Sequence, residues 1–159
     1  MSPGAHGHKP ALRLKLSCKL APPEEDPFMR HFFGTFVLIL WALLGLFTGL
    51  AAGLQPARFA QSLGLAVSNS GGINEVRAQY AGFFLACAVV CIASLTGAVP
   101  RASAFMLLTV VFAGLISGRL VSLALNHGTS GYPPAILALC GIDSLGLVLS
   151  LAALALNQP

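Results

Sequence analysis

Five polar side chains draw attention by their surroundings: Glu75, Arg77, Tyr80, Arg119 and Asp143 lie within or beside long apolar stretches. A charge at the centre of a membrane helix costs about 2.5 to 3.5 kcal/mol on insertion scales, so each that is present needs a compensating role. Arg119 and Asp143 are the sole charges in two consecutive apolar runs. Counted from the outer ends of those runs at about 1.5 Å per residue, they lie roughly 9 Å and 12 Å deep. The long guanidinium stem can adjust its height, so an Arg119 to Asp143 ion pair is geometrically natural. Asn74-Glu75-Val76-Arg77-Ala78-Gln79-Tyr80 opens another apolar run and brings Glu75, Arg77, Gln79 and Tyr80 to the same outer interface. Two chemistries fit this grouping. In one, the ion pair fixes helix register and Glu75 caps its helix at the dipole-positive end. In the other, the side chains form a polar pocket, open to the outer face, for a small molecule, a lipid headgroup or a quinone.

Other reactive groups are less well placed. Cys87 and Cys91 share a helix face in an apolar run, and Cys140 lies one turn before Asp143. A thiol oxidoreductase would show Cys-x-x-Cys near an interface, and these thiols behave as small hydrophobes instead. His31 and His127 fall at opposite ends of the apolar region, so they cannot clamp one haem, and His6 and His8 lie in a polar arm. No metal site is expected. Gly71-Gly72 is followed by no Gly-Lys-Ser/Thr, which leaves it a turn rather than a phosphate loop, and no nucleophile elbow or zinc-protease helix occurs. A small multidrug exporter would typically carry an embedded glutamate in its first helix, and none is there.

The elements that hold these groups follow from composition. Of 159 residues, 56% are hydrophobic and 9% charged, against roughly a quarter charged in soluble domains. Eight charges fall in the first 30 residues: Lys9, Arg13, Lys15, Lys19, Glu24, Glu25, Asp26 and Arg30. The rest of the chain holds only Arg58, Glu75, Arg77, Arg101, Arg119 and Asp143. Six charges cannot cover a water-facing surface of that size, so lipid is the solvent for most of the chain. The net charge of +4 then reports membrane orientation, and nucleic acid is not an expected partner.

Four apolar runs, at about 32–54, 76–99, 102–125 and 135–156, each approach the ~20 residues needed to cross the hydrocarbon core, and none contains an internal proline. A backbone in lipid must satisfy its own hydrogen bonds, so all four are read as helices. The first is too long, and followed by too many others, for a cleaved signal. Residues 55–75 suggest a short interfacial amphipathic helix at Pro56-Ala57-Arg58-Phe59, then a flexible turn at Ser68-Asn69-Ser70-Gly71-Gly72. Pro100-Arg101 forms a tight link, and the 126–134 link contains Pro133-Pro134. The expected fold is an all-α integral membrane four-helix bundle, up-down-up-down, over residues 29–159. Residues 1–28 read as a flexible, basic, proline-rich arm, with a short alternating basic stretch at 11–20 that could touch anionic lipid; Met29 is an alternative start. Lys9, Arg13, Lys15, Lys19, Arg30 and Arg101 on one side, against Arg58 and Arg77 on the other, predict both termini in the cytoplasm.

Small residues recur every four positions. Gly45, Gly49 and Gly53 mark the first helix, Ala78, Gly82 and Ala86 the second, and Gly114 with Gly118 the third. Such stripes allow close helix packing within the bundle, or against a second copy or larger complex.

The run Asn74-Glu75-Val76-Arg77-Ala78-Gln79-Tyr80-Ala81-Gly82 resembles the signature of a bacterial membrane family, "domain of unknown function 4345". In it an Asn-Glu-hydrophobic-Arg-Ala-x-Tyr-Gly-Gly run opens the second helix. The resemblance extends to Gln55-Pro56-Ala57-Arg58-Phe59, Pro100-Arg101 and Gly118-Arg119, and spans about 32–156. Ala81 departs from a more usual glycine, and Asp143 from an expected glutamate, which shortens the acid by one methylene. The family is similar in architecture to DoxX-like four-helix membrane proteins, some of which are tied to quinone or sulfur redox chemistry. That likeness of fold transfers no activity.

Together these readings predict a multi-pass protein of the bacterial inner membrane. Its expected role is noncatalytic, as an accessory subunit of a larger membrane complex or a homo-oligomer, or as a binder of small molecules or lipid through Glu75, Arg77, Tyr80, Arg119 and Asp143. The competing role is an oxidoreductase component that holds a quinone headgroup.

Overall fold

The structure, a computed structural model, describes residues 27–125, 132 and 134–157. The N-terminal arm up to residue 26, with His6, His8 and Cys18, and most of the 126–134 link, with His127, lie outside the described residues. Six α-helices and one π turn follow in order: α1 (Pro27–Leu54), α2 (Pro56–Ser62), α3 (Ser70–Val76), the π turn (Arg77–Gly82), α4 (Phe83–Leu95), α5 (Arg101–Leu125) and α6 (Pro134–Leu156). The segment from α3 through the π turn to α4 is one continuous span, Ser70–Leu95. With α1, α5 and α6 it makes four helices long and apolar enough to cross a membrane.

Each boundary has a local cause. Pro56 disfavours helical backbone at Gln55, which sits at φ −130° and ψ 60°, so α1 stops and α2 restarts with proline in its first turn. The second span begins at Ser70, six residues before the expected start at 76, because the Asn69 side chain accepts a 2.9 Å hydrogen bond from the Gly72 N–H. The expected flexible turn at 68–72 is therefore half cap and half helix. Glu75 lies five residues inside this helix and does not cap it. At the other end α4 stops at Leu95, four residues short of the expected 99. Gly97 adopts φ +82°, and the Ala98 and Gly97 N–H groups close back onto the Ala93 and Ser94 carbonyls. That paired closure satisfies the orphan carbonyls of the helix end and requires the left-handed conformation glycine permits.

The helices form two pairs. α1 lies along α4 and the π turn, α5 lies along α6, and contact between the pairs is thinner. Cβ atoms built at Gly45 and Gly49 would come within 2.9 Å of the Phe84 carbonyl and 2.6 Å of Leu85 Cγ, so the missing side chains are what admit the close approach of α1 to α4. The pairs are joined by a layer of Val37, Leu38, Trp41, Cys91, Phe105, Leu108, Phe112 and Ala153. Trp41 and Phe112 meet with ring centroids 4.5 Å apart. Gly146 receives the Phe112 ring, whose atoms would lie 2.6 Å from an added Cβ. At this end the Arg30 guanidinium donates to the Leu156 carbonyl, with the Nε contact at 2.6 Å, and Arg101 donates to the His31 carbonyl at 3.3 Å. A second, smaller cluster of Ala52, Ala60, Val76 and Ala81 holds α2 and the π turn against α1 at the opposite end.

Outside the bundle, Leu43, Met106, Val110, Val121 and Val148 are all more than half exposed. Such a surface is stable in hydrocarbon and not in water, which agrees with a multi-pass membrane protein.

Candidate functional site

At the end remote from Arg30, the two helix pairs separate around a cavity of about 1010 Å³. That is the upper end of the range typical of small-molecule sites, roughly 300 to 1,000 Å³. Three side chains flagged by their depth line it: Tyr80, Arg119 and Asp143. Arg119 on α5 and Asp143 on α6 face each other because the two helices pack side by side. Arg119 Nε donates to Asp143 Oδ2 at 2.6 Å. The pair is asymmetric, since the Asp143 side chain is 7% exposed and that of Arg119 26%. The acid is sunk between helices, and the base lies on the cavity wall with one of its five N–H donors engaged among the described residues.

The π turn supplies the facing wall. A π turn holds one more residue than an α turn, which widens the helix locally and re-aims the side chains that follow. Its span contains most of the Asn74-to-Gly82 motif, and it was not foreseen from sequence. It turns Ala81 into the contact with α1, where Ala81 is buried and lies beside Gly49 and Gly53. Gln79 and Tyr80 line the cavity. The Tyr80 ring packs on Phe59 of α2 at 5.2 Å between centroids, which makes α2 part of the same wall.

Glu75 and Arg77 are elsewhere. Both are exposed and neither lines the cavity. Arg77 Nε instead donates to the Gly53 carbonyl at 3.3 Å, near the C-terminal end of α1 where carbonyls lack helical partners. Depth placed all five residues at one level, whereas their positions around the helix axis separate two of them from the other three. The glycine stripes also divide. Gly45 and Gly49 are filled by neighbours, and Gly53 is in ordinary contact with Ala81. Gly82 is exposed and meets no other helix; its Cβ would approach only the Arg77 carbonyl. Gly114 and Gly118 line the cavity, and among the described residues nothing lies within 4 Å of an added Cβ, so no described helix packs on them.

Ser122 and Tyr132 also line the site, with their hydroxyls 2.7 Å apart. Ser122 falls one turn beyond Arg119 and was legible from that spacing; Tyr132 sits outside any helix, where periodicity carries no information. Cys140 lines the cavity next to Asp143, while Cys87 and Cys91 do not. Among the described residues no three His, Cys, Asp or Glu side chains gather in a way that could hold a metal ion. The arrangement can offer hydrogen-bond donors from Arg119, Tyr80 and Gln79 to a molecule whose remaining surface is apolar.

Comparison with known proteins places residues 33–155 in the family described as Domain of unknown function (DUF4345). No curated protein and no solved structure matches the chain.

Proposed function

The chain belongs to the DUF4345 family, and on that premise we propose that it holds a small lipophilic molecule between its two helix pairs, with Arg119, Asp143 and Tyr80 as the polar contacts. The observation that carries this reading is the position of the Arg119 to Asp143 ion pair on the wall of a cavity. An ion pair that only fixes helix register needs no opening beside it. Here the guanidinium lies at an opening with most of its donors unspent among the described residues, and a charged group retained at membrane depth is a functional candidate by default.

The orientation that fits is up-down-up-down in a bacterial inner membrane with both termini cytoplasmic. Arg30 and Arg101 lie at one end of the bundle, and the sequence before α1 carries four more basic residues. Arg58 and Arg77 occupy the other. The cavity then faces the outer leaflet. Glu75 and Arg77 would act at the rim, meeting headgroups rather than the bound molecule.

The test is native mass spectrometry of protein extracted in a mild detergent. The expected result is a stoichiometric lipophilic adduct on the wild type that is lost in Gly118→Leu, which fills the cavity from α5. A stable larger assembly with an empty cavity would replace this reading with that of an accessory subunit, and an isoprenoid quinone as the adduct would extend it toward redox chemistry.

A further inference from the structure

We infer that the cavity selects an uncharged lipophile whose head is a hydrogen-bond acceptor, such as a carbonyl, ester or ether, and rejects a carboxylate or phosphate head on the same body. The inference rests on the reading above that the cavity is occupied by a small molecule; it adds the class of that molecule.

Two features of the wall lead here. The first is charge. Among the described residues that line the cavity, Arg119 and Asp143 are the only charged ones, and they are paired at 2.6 Å. The wall is therefore formally neutral. An anion entering this low-dielectric space would be left without compensation, because the one cation present is already matched by a carboxylate. A cation would have to displace Arg119 from an acid that is almost fully buried.

The second is the unspent hydrogen-bond donors of Arg119. A guanidinium has only donors, and among the described residues Arg119 uses only its Nε, on Asp143. The Tyr80 hydroxyl and the Gln79 amide make no hydrogen bond among the described residues, whereas Ser122 and Tyr132 hold each other. Beside the ion pair Arg119 offers donors only, the Gln79 amide and the Tyr80 hydroxyl can donate or accept, and Asp143 is almost fully buried, so an acceptor head is the one that Arg119, Gln79 and Tyr80 can all meet. Its body has room because Gly114 and Gly118 leave the α5 backbone bare, and Leu44, Phe47 and Leu139 make the surroundings apolar.

A matched pair of probes tests this: methyl laurate and laurate, which share a chain and differ in head charge at about pH 8. Binding of the labelled probes to purified protein is corrected for detergent partition with Gly118→Leu as the blank. The wild type is expected to bind the ester at least about tenfold more tightly than the carboxylate. Asp143→Asn removes the compensating charge and is expected to reverse that preference toward laurate. If Asp143→Asn does not accumulate, Arg119→Gln serves: affinity for the ester should fall and laurate should not gain. Equal binding, or tighter binding of laurate by the wild type, overturns the inference and leaves an occupied cavity standing. Binding of neither probe above the blank overturns the occupied cavity as well.

Discussion

The seam between the two helix pairs is built differently at its two ends. From mid-bundle toward Arg30 and Arg101, the glycines on the seam are covered by neighbours: Phe112 lies over Gly146, and Phe105 and Asn157 lie over Gly34. Around Arg119, Gly114 and Gly118 face open space among the described residues: Phe59, Tyr80, Phe83 and Phe84 line it, and no ring fills the gap at either glycine. Lipid tails are as apolar as leucine, so burial from water does not drive helices together within the bilayer, and contact must be won by close packing and hydrogen bonds. A bundle in lipid can keep its helices apart at one end because aromatic interlock and arginine-to-carbonyl bonds hold them at the other. The sealed end is what lets the open end exist without collapse or dissociation.

The largest test of this contrast is at the open end itself. Arg119→Ala leaves Asp143 buried without a partner and is expected to lower stability by about 3 to 5 kcal/mol, read as thermal unfolding in detergent. The double change Arg119→Leu with Asp143→Leu should recover most of that loss and still bind no ligand; a double variant as unstable as the single one would show that the pair is a structural clamp. Next comes the sealed end, where Gly146→Val drives a branched side chain into the Phe112 ring and should cost about 1 to 3 kcal/mol in the same assay. Gly114→Ala is expected to have the opposite sign, a gain of up to about 1 kcal/mol from helix propensity with no clash, accompanied by weaker ligand binding. A loss of stability there would mean that the seam is closed in the membrane, which breaks the contrast. Smallest is Arg30→Gln, which removes a charged donor from the end of α6 and should cost about 0.5 kcal/mol.

The four spans were legible because charge is so scarce that the apolar runs delimit themselves. Arg119 and Asp143 could be paired from depth, since antiparallel neighbours share a level when their distances from one interface agree. Glu75 and Arg77 could not be assigned correctly this way. Depth follows from counting residues, but direction around the axis depends on continuous α phase, and the π turn at Arg77–Gly82 breaks that phase within the motif. A π turn contains ordinary helix formers, so its composition gives no sign of it. The cavity was hidden for a related reason. Gly45 with Gly49 and Gly114 with Gly118 have the same four-residue spacing, and spacing does not say whether a neighbour occupies the gap. That depends on how two helix pairs meet, a property of the whole bundle.

The wide turn also bears on how such a site can change over time. Gain of a residue in an ordinary helix rotates everything beyond it by about 100°, which would turn a packed face toward lipid. Confined to one turn, the extra residue leaves α4 still seated on α1 through Gly45 and Gly49, and only the stretch around Tyr80 is re-aimed. Single-residue insertion or deletion at this point is therefore a route by which related chains could re-shape the cavity wall in one step while keeping the scaffold. Substitution alone would have to rebuild that wall side chain by side chain.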